Sequence, residues 1–199
     1  ARTAGKLPTL AYGLGEDRLG GAKMGYLDTS VLLKVVDTAK SMFQVQLSKN
    51  RFAYIDKQFI VVDTNALDKP LTPFPHTSNS ILAKGDSLFD YVSIRLPEKL
   101  PYQSWMDINP SKIIIEIFGV AANTNWITQL SSLKEVKNVY YHQVDDDILR
   151  VTVELNHKQH WGYSLQYSNI GLELIVRRQP QDLDLTKMVI AIDAGHGGT

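Results

Sequence analysis

The residues best placed to do chemistry stand close to the end of the sequence, where the apolar run Met188-Val-Ile-Ala-Ile192 leads into Asp193-Ala-Gly-His-Gly-Gly198. A run of that length suits one buried strand. Glycines on both sides of His196 allow a sharp turn and a close approach of the backbone to a bound group, because they carry no Cβ. The imidazole is expected to project from the carboxyl end of a strand, where open α/β sheets hold their ligands.

Other constellations carry less. His157-Lys-Gln-His160 sets two imidazoles three residues apart, a spacing that suits zinc on a helix, but here it joins two expected strands and no third ligand stands nearby. Asp145-Asp-Asp147 offers carboxylates to a hard cation yet lacks the glycine and distal glutamate of a calcium loop, so it reads as a solvated hairpin tip. Trp105, Trp126 and Trp161 could stack on sugar rings, but each borders an apolar run and reads as core or domain-interface material. Gly13-Leu-Gly15 is followed by glycine only at Gly20, which fails the dinucleotide fingerprint. No Ser/His/Asp arrangement is recognisable, and His76, between Pro75 and Thr77, reads as a solvated loop residue.

Composition excludes whole classes of function. The 199 residues hold 44% hydrophobic side chains, enough for a core, and 21 basic against 21 acidic residues, a formal net charge of zero. That balance gives no general attraction to nucleic acid or to an anionic membrane. With no cysteine there are no disulfides, thiolate metal sites or cysteine nucleophiles. No apolar run reaches the roughly 18 residues of a membrane span. The opening Ala1-Arg-Thr-Ala-Gly-Lys-Leu-Pro8 lacks the apolar core of a signal peptide, and one is expected to have been removed or to lie outside this numbering.

The elements that must carry these residues are mostly strands. Val31–Val36, the alternating Phe43–Leu47, a turn at Ser48-Lys-Asn50, and Phe52–Ile55 predict a small antiparallel barrel. Tyr12, Tyr26, Phe43 and Tyr54 could line an aromatic groove there, although packing inside the barrel is the preferred reading. Residues 65–87, rich in proline and turn-forming polar residues, read as a linker. Beyond it, Tyr91–Leu96 alternates and Lys112–Phe118 is a buried run. Asn138–Val144 with Ile148–Leu155, and Trp161–Tyr167 with Ile170–Val176, predict two hairpins. Trp126–Lys137 alone has a helical period.

Three stretches resemble known families. Gly20–Leu27, Val31–Val35, Phe43–Leu47 and Phe52–Ile55 resemble a bacterial Src-homology-3-like domain of the kind appended to cell-wall enzymes. Ile113–Gly119, Asn125–Leu130 and Trp161–Tyr163 through Leu172–Ile175 resemble AMIN, a non-catalytic β-domain found in front of bacterial cell-wall amidases. Val189–Gly198 is similar to the first strand and metal-ligand turn of zinc-dependent N-acetylmuramoyl-L-alanine amidases, and by that resemblance His196 matches the first zinc ligand.

The fold class implied is mostly β: a Src-homology-3-like barrel, then an AMIN-like β-sandwich, then the first strand of a truncated α/β amidase domain. The expected organisation is an extension over 1–15, the barrel over 16–64, the linker 65–87, the AMIN-like domain over 88–179, a second linker 180–187, and the amidase start at 188–199. Family amidases take a glutamate, a second histidine and a late catalytic glutamate from further along, positions this sequence does not contain. Catalytic zinc needs about three protein ligands and one open position to acidify its water. The chain by itself is therefore expected to be inactive and to bind no zinc.

The resemblances imply peptidoglycan, and envelope proteins, as partners in a bacterial periplasm or cell envelope. The alternative is a self-sufficient envelope binding or scaffold module whose Gly-His-Gly-Gly has no metal role. The reading frame past Thr199 separates the two: a downstream α/β domain with a glutamate and a histidine in ligand positions supports the amidase reading, and a stop codon there sinks it.

Overall fold

The computed structural model describes residues 1–14, 21–62, 75–168, 171–184, 186 and 188–189. The first half contributes β1 (Arg2–Thr3), β2 (Thr9–Ala11), β3 (Lys23–Tyr26), β4 (Lys34–Ala39), β5 (Met42–Ser48), β6 (Arg51–Asp56) and β7 (Ile60–Val61). Five of these form one antiparallel sheet in the order β3-β2-β6-β5-β4, while β1 pairs with β7. The alternation in β5 and β6 turns Val45, Leu47, Ala53 and Ile55 inward, and the chain reverses at Lys49-Asn50. Pairings among the described residues leave this sheet open, with β3 and β4 as its edges. The strand expected over Val31–Val36 begins later, at Lys34, with Val31 and Leu33 entering the core ahead of it.

The second half is a sandwich of antiparallel strands with two short parallel pairings. Its elements are β8 (His76–Ser78), β9 (Ile81–Gly85), β10 (Phe89–Ile94), β11 (Tyr102–Ile108), β12 (Ser111–Phe118), β13 (Val120–Ala122), β14 (Ile127–Gln129), β15 (Val136–Asp145), β16 (Ile148–Leu155), β17 (Tyr163–Ser168) and β18 (Gly171–Arg177). One sheet runs β14-β9-β10-β18-β17 and the other β11-β12-β16-β15. Both expected hairpins, β15–β16 and β17–β18, form with antiparallel register. β12 places Ile113, Ile115 and Ile117 in the core with Leu149, Val151 and Val153 of β16. Val92, Ile94, Leu172, Leu174 and Val176 join the same cluster from the other sheet. A side chain at position 171 has no room, since its Cβ would lie 2.1 Å from the Ile94 carbonyl oxygen at φ +138°, so only glycine fits.

A buried carboxylate ties the two layers together. Asp90 on β10 is fully buried and accepts hydrogen bonds from the backbone N–H groups of Lys134, Glu135 and Val136 at 2.9, 2.7 and 2.7 Å, and from Arg178 Nε at 2.8 Å. These donors sit where the chain enters β15 of one sheet and leaves β18 of the other. A buried charge is tolerable only when paired and hydrogen-bonded in this way.

Three expectations need correction. Trp126–Lys137 is not helical: it holds β14, a turn, and the start of β15, because Ile127–Gln129 finds a parallel partner in β9. Strands β8 and β9 lie within the stretch read as a linker, and β9 pairs on both sides. His76 is 7% exposed rather than solvated, paired through β8 with β13. His196 and its glycine-rich turn fall outside the described residues.

Removing the Asp90 carboxylate leaves the buried N–H groups of Glu135 and Val136, the N–H of Lys134 and Arg178 without their acceptor. Asp90→Ala is expected to lower the unfolding free energy by about 3–5 kcal/mol, read from urea denaturation; a loss under about 1 kcal/mol would contradict the clamp.

Candidate functional site

The outward face of the β11-β12-β16-β15 sheet gathers the side chains best suited to hold a ligand. Strand alternation and register set it out in cross-strand rows. Trp105, Ile114, Thr152 and Tyr140 lie opposite one another across the four strands. The row on one side is Gln103, Glu116, Arg150 and His142, and on the other Asp107, Lys112, Glu154 and Asn138. Ile114 and Thr152 are buried in the middle of their row, whereas Tyr140 is 41% exposed at its far end. An apolar row ending in two aromatics between polar rows is a surface for a ligand with both apolar faces and hydrogen-bonding edges.

Glu116 organises one end of this face. It is 1% exposed, and Arg51 of the N-terminal sheet reaches it at 2.8 Å, Arg150 Nη2 at 2.5 Å and Gln103 Nε2 at 2.7 Å. Burial alone would raise its pKa, but the bonds from Arg150, Gln103 and Arg51 outweigh burial and hold the carboxyl below its usual value. Arg150 also lies over the Trp105 ring, 5.8 Å from its centroid, so the same carboxylate steadies the indole.

The N-terminal sheet is seated by further contacts. Arg2 makes a two-pronged pair with Glu98 at 3.0 and 2.9 Å, and this bond with Arg2 is the main cause of the lowered pKa of Glu98. Asp28 accepts from the Tyr167 backbone N–H at 3.2 Å and the Tyr102 hydroxyl at 3.4 Å. Burial pushes both tyrosine hydroxyls upward, so they remain neutral donors. Where the two halves meet, Tyr12, Met24, Gln103, Ser104 and Trp105 line a pocket of about 310 Å³. The Tyr12 hydroxyl donates to Gln103 Oε1 at 3.1 Å across it.

The structure redistributes the residues singled out in the sequence. Trp105 is half-buried on the face, Trp161 is half-buried, and Trp126 is 72% exposed, against its reading as core or interface. Tyr12 and Tyr26 are 58% and 50% exposed and do not pack a barrel interior, while Phe43 and Tyr54 are half-buried. The two histidines of 157–160 are engaged separately: His157 Nδ1 meets Glu135 Oε2 at 2.7 Å, and His160 Nε2 meets Ser111 Oγ at 3.1 Å. Among the described residues no three His, Cys, Asp or Glu side chains are grouped to hold a metal ion. In the aspartate triplet, Asp145 and Asp146 are exposed as expected. Asp147 is 6% exposed, however, and burial first, with Asp145 next to it, raises its pKa. Glu116, Arg51 and Gln103 were not legible as a unit, because they come together from positions far apart in sequence.

The second half is thus a two-sheet β-sandwich that carries a mixed aromatic and polar face on its four-stranded sheet. Residues 83–185 match the AMIN domain family, and the chain belongs to it. AMIN domains are peptidoglycan-binding, cell-wall-targeting modules typical of periplasmic and cell-envelope proteins. No curated protein matches the chain. No helix among the described residues is long and apolar enough to cross a membrane.

The Glu116 cluster makes a pH prediction. A carboxyl held below its unfolded value contributes stability that is complete above the unfolded pKa, about 4.3, and is lost as the pH falls through the lower folded value. Thermal unfolding should therefore show Glu116→Gln less stable than wild type at pH 7, with the gap narrowing in acid. A gap independent of pH from 7 to about 3 would refute this.

Proposed function

We propose that the chain is the non-catalytic, cell-wall-targeting region of a zinc-dependent N-acetylmuramoyl-L-alanine amidase. It holds a hydrolase on peptidoglycan while that enzyme cleaves the amide between N-acetylmuramic acid and L-alanine. The observation that carries this reading is the outward face of the four-stranded sheet in an AMIN family member, with Trp105 and Tyr140 ending one row between two polar ones. Peptidoglycan is a repeating polymer, and a flat face with rows of contacts suits a polymer better than a deep cavity does.

The likeness of Val189–Gly198 to an amidase strand and turn supports the choice of enzyme, and the open five-stranded sheet of β2 to β6 supports a Src-homology-3-like unit ahead of the sandwich. Zinc, when bound in the amidase, supplies an acidified water and polarises the amide carbonyl. His196 is the ligand this sequence offers by resemblance. His157 and His160 do not fit that role, each being committed to a different partner. On this reading the protein works in the bacterial periplasm or cell envelope.

The chain is expected to co-sediment with purified insoluble peptidoglycan at low salt, and Tyr140→Ala to weaken retention about threefold or more; no retention of wild type would count against targeting. With zinc added, the chain should release no stem peptides from purified peptidoglycan, and measurable release would refute its non-catalytic role.

A further inference from the structure

A small open pocket lies where the two halves meet. We propose that Tyr12, Met24, Gln103, Ser104 and Trp105 form a saccharide seat that takes an N-acetylated aminosugar of a glycan strand, with the N-terminal sheet supplying one side of it. This deepens the peptidoglycan-targeting reading and rests on it.

Three observations carry the assignment. All five lining residues are uncharged, which favours a neutral ligand over the ionised groups of a peptide or a phosphate. The lining pairs aromatic and thioether surface with the Gln103 amide and the Tyr12 hydroxyl, the combination that a pyranose needs: its C–H face packs on an electron-rich ring, and its hydroxyls and acetamido group take hydrogen bonds at the edge. The volume of about 310 Å³ lies at the lower end of the roughly 300–1,000 Å³ that small ligands occupy.

The seat is also held in shape before anything binds. Gln103 is fixed at both ends of its amide, its oxygen by the Tyr12 hydroxyl at 3.1 Å and its nitrogen by Glu116 at 2.7 Å. Trp105 lies beneath Arg150, which is bonded to the same glutamate. Ser104, between Gln103 and Trp105 on β11, turns its hydroxyl to the other sheet, within 3.0 Å of the Tyr163 hydroxyl, and so anchors the strand from behind. Side chains fixed in this way give up little conformational freedom on binding. Tyr12 and Met24 come from the N-terminal sheet and the other three from β11, so the seat exists only while the two halves are docked.

The test uses the whole 199-residue chain and two probes, a β-1,4-linked tetramer of N-acetylglucosamine and a glycan-free stem peptide. Calorimetric titration should detect the tetramer and not the peptide. Tyr12→Ala and Trp105→Ala should each weaken tetramer binding about tenfold, and Leu88→Ala, at an exposed turn between β9 and β10, should leave it within about twofold. Tyr12 is 58% exposed, so its variant keeps the fold, and an unchanged circular dichroism spectrum and urea midpoint verify this. Tetramer affinity unchanged in Tyr12→Ala, no tetramer binding at all, or binding of the stem peptide instead would overturn the seat. If wild type still co-sediments with intact peptidoglycan in any of those cases, the seat alone falls. Failure of wild type to co-sediment overturns the targeting reading and the seat with it.

Discussion

The Glu116 carboxylate is the interaction on which the arrangement of the surface depends. It sits on β12 among residues that would otherwise be purely apolar, and one buried negative charge there must be answered from several directions. Arg51 answers from the N-terminal sheet, Arg150 from β16 and Gln103 from β11. Leaving such a group unpaired costs more than its bonds return, so the three partners have little freedom to be elsewhere. Docking of the two halves, the position of the Trp105 indole and the set of the Gln103 amide follow from one requirement.

This links stability to recognition. In most binding modules the ligand surface is carried by a scaffold whose own core decides the fold. Here the core is a single hydrophobic cluster that extends through both halves, including Leu10, Val45 and Ile55 as well as Ile115 and Val151. The polar clasps Arg2–Glu98 and Arg51–Glu116, partly solvated on the arginine side, set orientation more than they add stability. The two halves therefore share one core, and a pocket lined from both of them lies at their joint.

What the sequence reveals about this protein follows the range of its interactions. Strands whose signal is local were legible: the alternation of Phe43–Leu47 and the apolar Lys112–Phe118 reappear as strands, and the two hairpins form with their expected pairing. Strands defined by distant partners were not. β8 lies among prolines and serines and becomes a strand because β13 runs beside it, whereas β9 forms a local hairpin with β10 and gains β14 on its other side. Trp126, Ile127, Leu130, Leu133 and Val136 carry a helical spacing by chance, and a parallel pairing with residues some 45 positions earlier overrides it. The face is half legible: Trp105 stood out as a residue type, but Arg150 over its ring and Tyr140 at the far end of its row are fixed only by register. Arg51 and Glu116 could not be joined from sequence, since 65 residues separate them and no local period connects them.

The position of β18 has a consequence for how the molecule is made. It is the last strand of the chain among the described residues, yet it lies between β10 and β17 in the interior of its sheet. Tyr91 must wait for Ile175, and Asp90 for Arg178, before either is satisfied. A chain growing from its amino terminus thus presents an open β10 edge until nearly the whole sandwich has been synthesised. Closure of this sheet is consequently a late event that waits for insertion of β18.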